Sequence, residues 1–517
     1  MYYFHTKRKP HIFIKHVAFL LFLCVLYSFS THKKCAAETT EYYQVYVNKG
    51  DSGNTIADLL LTSYDTSKYT GLQINIPAGE YYMYDSLYIP SNVILKADPN
   101  AHFYKMSGYG AMIEGKIELD EKGNDVCKNI IIDGGIWDSS PIAGHFKGTE
   151  TFRFIHADNI TICNADLCNM PTGGHLLVLA GVSNATVKDC SFHGYGDGKP
   201  YSNQKEAIQL DIAHDSNLVP TIQSVQWDDR ACNNITIDHC HIYDYSRAIG
   251  SHTSVNGIYH SDITISNNTM EDINEVALKL FNYKNCTVSN NLIKNSATGI
   301  YVYTGFKEKT SSSGMFFPPL NGIVNAEPSN HHIVIKNNTI TKSKQFNKGY
   351  GDGIRVSGDT KHPIKGVTIS NNKIKNTKRY GIFVSNCPKT TLKKNQIENV
   401  TKDGILLNAD SNQSKIINNK VAKTNNYGIW VSEKTKNIHV KHNTVTACKK
   451  YGIFIYKTIN STILYNKIIQ KTNISALHVG ECTRTKISKN TIVGGKRGYE
   501  IWVTGTTNAS VSQNTIR

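Results

Sequence analysis

Apolar and polar residues alternate with a period of two along most of this chain, and the alternation breaks at near-constant intervals. In the second half, short motifs ending in asparagine recur: VTISNN, TTLKKN, SKIINN, HVKHN, ILYN, KISKN and VSQN. Their last asparagines are Asn372, Asn395, Asn419, Asn443, Asn466, Asn490 and Asn514, spaced by 23 or 24 residues. Shortly after each of the first six comes a second run: GIFVS (Gly381), GILLN (Gly404), GIWVS (Gly428), GIFIY (Gly452), ALHVG (Ala476) and EIWVT (Glu500). Period-two alternation rich in β-branched residues predicts strands for both runs, and the polar pieces between them predict turns. A repeat of this length with two or three short strands and no helical pattern predicts a single-stranded parallel β-solenoid of roughly 12–14 coils, about 22–24 residues each. One coil cannot bury its own apolar face; stacked coils form a continuous core. The repeated asparagine falls at a turn, where its amide can bond to the same residue one rung away, about 4.8 Å off.

The pattern continues upstream with interruptions. Asn268 and Asn291 are 23 apart, and Cys190 and Cys240 hold the same column in ATVKDC and ITIDHC, where a buried thiol pair is expected over a disulfide. The opening coils read INIPAGEYYMYDSLYIPSNVILKADPNA, Ile74 to Ala101. With "IPAGEY…LYIPSNV" and the stacked "ITISNN" coils, the chain from about residue 40 to 517 resembles the pectate-lyase-like (pectin-lyase-fold) superfamily of right-handed parallel β-helices. The resemblance implies an all-β, right-handed helix. It does not choose an activity, since that superfamily holds lyases, hydrolases, epimerases, phage tailspikes and non-enzymes.

Residues 1–37 carry a basic segment, the short apolar run VAFLLFLCVLYSF and a polar stretch ending in small residues. This pattern predicts a cleaved secretory signal peptide, with an uncleaved anchor as the alternative, and no later run is apolar enough to span a membrane. The expected organisation is 1–37 signal peptide and 38–517 β-helix, the latter divided into capping coils (38–150), loop-decorated coils carrying the site (151–360) and regular basic coils (361–517). The expected location is secreted or on the extracellular surface.

Net charge is +16, but unevenly spread. Residues 38–330 hold 19 basic and 33 acidic groups, and residues 331–517 hold 32 basic and 8 acidic groups, a net +24. An exported protein with such an end is expected to meet a polyanion, such as an acidic polysaccharide or a cell-wall polymer, and not nucleic acid. No C-x-x-C pair occurs, which argues against a thiolate zinc site of that type.

Aligning the second strand upstream gives HLLVLA (His175), AIQLDI (Ala207), AIGSHT (Ala248), ALKLFN (Ala277), GIYVYT (Gly299) and GIRVSG (Gly353). Places two and four are apolar and predicted to face inward, so places three and five face outward. Column three reads Leu177, Gln209, Gly250, Lys279, Tyr301, Arg355; column five reads Leu179, Asp211, His252, Phe281, Tyr303, Ser357. The candidate site is therefore Gln209, Asp211, His252, Lys279, Tyr301, Tyr303 and Arg355. Asp211 beside His252 on the next rung would orient the imidazole and raise its pKa. Two long excursions leave the same strand edge, His214–Cys232 and Phe306–His332, and could wall one cleft. The first brings Trp227, Asp228, Asp229 and Arg230, suited to sugar stacking and acid–base work. Glu206 and Arg247 fall one place before their strands, where they could line the cleft or pair with each other.

Two chemistries fit. Glycoside hydrolysis needs two carboxylates flanking the bond, which Asp211 with Asp228 or Asp229 could supply. β-Elimination needs a base, from His252, Lys279 or Tyr301, and a cation such as Arg355 or Lys279 on the uronate carboxylate. The same atoms without bond cleavage would give a C5-epimerase. Polygalacturonase-type hydrolases of the superfamily carry N-T-D and D-D on consecutive strands, whereas AIQLDI offers one aspartate and AIGSHT none. Pectate lyases of the superfamily bind calcium through carboxylates, which makes calcium a candidate cofactor at Glu206, Asp211, Asp228 and Asp229. The rival reading is a non-catalytic surface protein whose basic coils grip an anionic wall polymer.

Overall fold

The computed structural model describes residues 41–108, 110–117, 126–140, 150–196, 205–214, 227–251, 253–305, 316–344 and 349–517. Their strands wind into a right-handed parallel β-helix with three sheets of 17, 15 and 16 strands. One coil illustrates the winding. His260–Ser266 lies in the first sheet, Thr269–Ile273 in the second and Val276–Phe281 in the third. The next coil begins at Tyr283–Ser289, in register with the first, so that Ile263 pairs with Cys286. The strand totals exceed the expected 12–14 coils because the N-terminal coils, from Tyr42–Tyr46 onward, carry strands but no asparagine motif. A short helix, Gly53–Leu59, packs against the first of them and buries Ile56. Among the described residues no helix is long and apolar enough to cross a membrane.

The lumen is filled by the inward half of each strand. In the coil above these are Ile263, Ile265, Met270, Ile273, Leu278 and Leu280, all with 0% exposure. At the bend between the first and second sheets stands an asparagine ladder from Asn268 to Asn514. Asn419 is typical. Its Nδ2 donates to Asn443 Oδ1 at 3.0 Å and to the Leu392 carbonyl at 2.9 Å, while its Oδ1 accepts from the Asn395 amide and Nδ2 at 3.0 and 2.9 Å. The residue before each ladder position takes a left-handed conformation, as at Asn371, Asn418 and His442. This explains the doubled asparagine of ISNN: the first tolerates positive φ, and the second fills the bend. Cys240 stands one rung above Asn268 in the same column, its amide donating to Asn268 Oδ1 at 2.8 Å. The ten described cysteines are free thiols, Cys190 and Cys240 included.

One register differs from expectation. Leu177 pairs with Ile208 and points into the lumen, while Val178 pairs with Gln209 and Ala180 with Asp211. The outward column therefore runs Glu114, Arg153, Val178, Gln209, Gly250, Lys279, Tyr301, Arg355. HLLVLA is apolar on both faces, so alternation gave that rung no phase.

Candidate functional site on the third sheet

The polar outer face of the third sheet gathers charged side chains from successive rungs. Arg247 is the centre of one group. Its Nη1 lies 3.0 Å from Glu206 Oε1, and its Nε is hydrogen-bonded to Glu275 Oε2. Glu206 and Glu275 are buried, with exposures of 0% and 2%. Burial opposes the arginine charge, but the two carboxylates more than offset it and hold its pKa above the usual value. His175 Nδ1 lies 2.7 Å from the Glu206 carbonyl, which fixes that nitrogen as the donor. The Tyr350 hydroxyl bonds to Glu275, and burial, followed by that carboxylate, pushes its pKa up.

Lys279 stands on the next rung, opposite Gly250 on one side and Tyr301 on the other. A Cβ at position 250 would fall 2.4 Å from the Lys279 carbonyl oxygen, so glycine is required there. Burial first, and Arg247 second, lower the Lys279 pKa; Glu206 and Glu275 act against them. Tyr303 is paired with Phe281, their rings stacked at 4.1 Å, and stacks on Tyr301 at 4.7 Å. Arg355 follows in the column, its guanidinium 5.3 Å from the Tyr301 ring and 4.5 Å from the Phe383 ring. It is paired at 3.3 Å with the buried Asp352, which also faces Arg379 at 3.7 Å.

A second group lies at the other end of the same strands. Asp211 faces outward but is only 2% exposed. Its Oδ2 accepts from Gln209 Nε2 and, at 3.1 Å, from Thr253 Oγ1; its Oδ1 accepts from the Ile212 amide at 2.9 Å. His252, its expected partner, lies outside the described residues. The two excursions do meet. Asp229 binds His214 Nδ1 at 2.5 Å and accepts from the Leu320 amide at 2.5 Å. Ser254–Val255 pairs with Phe316–Phe317, and the His214 and Phe317 rings are 4.4 Å apart.

This changes the parts expected for the first excursion. Asp229 is buried and ties the two excursions together instead of facing a cleft as an acid or base. Asp228 is bound to Arg230 at 3.3 Å and lies 3.7 Å from the buried His156. Trp227 packs on Ile155, Val178, Ala180 and Ala213 and is not laid open as a stacking platform. Asp211 is likewise covered and not presented to solvent. Among the described residues no three of Glu206, Asp211, Asp228 and Asp229 converge as a cation cage. The donors that occupy them are arginines, an imidazole, amides and a hydroxyl.

Several members of the face escaped the sequence reading. Glu275 stands two places before Ala277, and Asp352 one place before Gly353, in the position that marked Glu206 and Arg247. Reading that column downward would have found Asp352. Arg153 sits in the outward column upstream, 2.7 Å from Glu114 and 3.0 Å from Glu150. Nearby Lys105 has its pKa lowered to about 8 by burial. Their strands hide the register: AMIEG carries its alanine one place early, and ETFRFI has no Gly or Ala at all.

The chain belongs to the right-handed β-helix family: the family model described as right handed beta helix region matches residues 145–314 and 321–516. Among solved structures, PfbA, a surface adhesin of Streptococcus pneumoniae, matches at TM-score 0.53 and 16% identity, covering 70% of this chain and 85% of its own. A double mutant of the tailspike of E. coli bacteriophage HK620, in complex with pentasaccharide, matches at TM-score 0.53 and 13% identity, covering 90% and 77%. A family 28 exopolygalacturonase of Yersinia enterocolitica matches at TM-score 0.48 and 13% identity, covering 72% and 76%. At these identities the likeness is one of fold. No curated protein matches.

Proposed function

We propose that this chain is an exported protein that binds an acidic polysaccharide on the outer face of its third sheet and cleaves it by β-elimination. One observation carries the reading. Lys279 is a buried amine pushed toward its neutral form, with no hydrogen bond or ion pair to a described residue, and it is aligned with Tyr301 and Arg355 on consecutive rungs. Arg355 would pair with the uronate carboxylate and acidify the adjacent C–H. The neutral Lys279 amine would take that proton. The electron pair forms the new C4–C5 double bond, the C4–O bond breaks, and the Tyr301 hydroxyl protonates the departing oxygen. Hydrolysis is less well supported, because it needs two carboxyl groups facing one bond. Here Glu206, Glu275 and Asp352 are bound to arginines, and Asp211 to Gln209, Thr253 and a backbone amide.

The test is ultraviolet absorbance of unsaturated product on a panel of uronate polymers, beside a reducing-end assay on neutral glycans. Lys279→Met and Arg355→Gln should each abolish the absorbance change. Reducing ends without unsaturated product would overturn the lyase reading, and isotope exchange at C5 without chain cleavage would make the chain an epimerase.

A second reading, wall-polymer binding without cleavage, is favoured by the lower coils. Below Arg355 the outward column continues Phe383, Leu406, Trp430, Phe454, His478 and Trp502. Lys402 and Lys450 lie over Tyr380 and Tyr427 beside it, each at 5.4 Å. Salt-sensitive binding to an anionic wall polymer by wild type and Lys279→Met alike, with no product from any substrate, would support it.

A further inference from the structure

On the outer face of the second sheet, away from the site above, three metal-ligating side chains meet. Asp166 and Cys168 alternate with the fully buried Leu167 along the strand Asp166–Met170, so both face outward. Cys168 is the direct cross-strand partner of His193, on Ser191–Tyr195. One ligand atom from each of the three lies within 4.8 Å of the other two. The backbone alone therefore brings a carboxylate, a thiol and an imidazole to one point.

The hydrogen bonding there is incomplete. Asp166 Oδ1 is 2.9 Å from His193 Nε2, yet that oxygen is buried and the pair does not have the alignment of a hydrogen bond. A buried carboxylate oxygen that accepts no hydrogen bond has room for an ion or a water. The His193 ring is held in place by stacking on Tyr243 at 4.7 Å. Asp138, on the other neighbouring rung, is also paired with Cys168.

We propose that Asp166, Cys168 and His193 bind a zinc-class divalent cation, with a fourth position open to water. Thiolate and imidazole donors select such a cation over calcium or magnesium. Ligand atoms on one zinc stand about 3.5 Å apart, so small side-chain rotations close the site. The side chains of Asp166 and His193 are 39% and 22% exposed, which leaves a route for the ion and its water. Bound there, the cation would clasp two adjacent coils.

The test uses the full chain, reduced, treated with chelator and titrated with Co²⁺. One equivalent should give thiolate-to-cobalt charge-transfer absorption in the near ultraviolet, displaced by Zn²⁺, and native mass spectrometry should find one Zn²⁺ per chain. Cys168→Ser should remove the band, His193→Gln and Asp166→Asn should each weaken Co²⁺ at least tenfold, and Cys163→Ser should change nothing. Without metal, the variants should melt with the chelated wild type. No band in wild type, or a band surviving Cys168→Ser, would overturn the proposal. If Cys168→Ser does not fold, full Co²⁺ affinity in both His193→Gln and Asp166→Asn would overturn it instead.

Discussion

Arg247→Met tests the buried charge group most directly. The side chain holds Glu206 at 3.0 Å and Glu275 closer still, and both carboxylates are buried. Each contact is worth about 4 kcal/mol gross at an effective dielectric near 20, most of it offset by taking the groups out of water. Methionine forfeits the attraction but leaves the two carboxylates desolvated. The expected loss is about 3–5 kcal/mol at pH 7, enough to lower the melting temperature by several degrees.

The deficit should depend on pH, and its sign follows from linkage. Without the arginine, two buried carboxylates are left with no cation between them, an arrangement that protons relieve, so acid should favour the folded variant. The deficit is then largest at pH 7 and shrinks on acidification. Replacing all three, as Glu206→Gln, Arg247→Met and Glu275→Gln together, should recover most of the loss, since no charge is left unpaired. Thermal melting by circular dichroism at pH 7 and pH 5 gives the comparison. A melting temperature for Arg247→Met equal to wild type at pH 7, or a deficit that widens on acidification, would refute the account of this group.

Four further outcomes are expected. Lys279→Arg keeps the charge but cannot lose its proton at working pH, so product formation should vanish while polymer binding persists; wild-type rate should rise with pH toward a lysine pKa lowered by burial. Asn419→Ala removes a buried amide and orphans several ladder groups, costing about 2–5 kcal/mol by denaturant melting, whereas Asn418→Gly one place earlier should cost little. His260 is fully buried with its pKa lowered to about 3, so its contribution to stability should be lost as the pH falls from about 6.5 toward 3, and His260→Gln should flatten that limb of the pH–stability curve. Asp229→Ala cuts the bonds to His214 and Leu320, and limited proteolysis should then cleave the second excursion faster with the β-helix itself intact.

How much of this was legible in the sequence depends on which face a residue serves. Ile263, Leu278 and Asn419 repeat because the lumen and the bend impose the same demand on every coil, so their period is visible. Lys279, Tyr301 and Arg355 were legible as one column for the same reason: the repeat fixes which places face outward. The phase failed only on the strand of Leu177 and Leu179, both of which face the lumen, because both faces of that strand are apolar. Burial on the outer face was not legible. Asp211 reads as a solvent-facing carboxylate, yet it is buried and bound to Gln209, Thr253 and the Ile212 amide. Nor was the tie from Asp229 to the Leu320 amide, which joins two segments 91 residues apart and leaves no periodic trace.

The same division explains why a site can be written onto this face at all. The inward residues and the asparagine ladder specify each coil without reference to the outward column, so that column can change residue by residue while the winding persists. Its composition follows suit: mostly charged and polar residues from Glu114 to Arg355, then mostly aromatic ones from Phe383 to Trp502. Yet the upper half is not a free surface. Arg153, Glu206 and Glu275 are among its most buried polar groups, and each such charge must be paired or lose stability. A solenoid that needed only solubility would leave these rungs to the solvated lysines that crowd its lower coils. Buried, mutually paired charges on one outer strip are costly to fold, and the winding, specified by the lumen and the asparagine ladder, does not require them there.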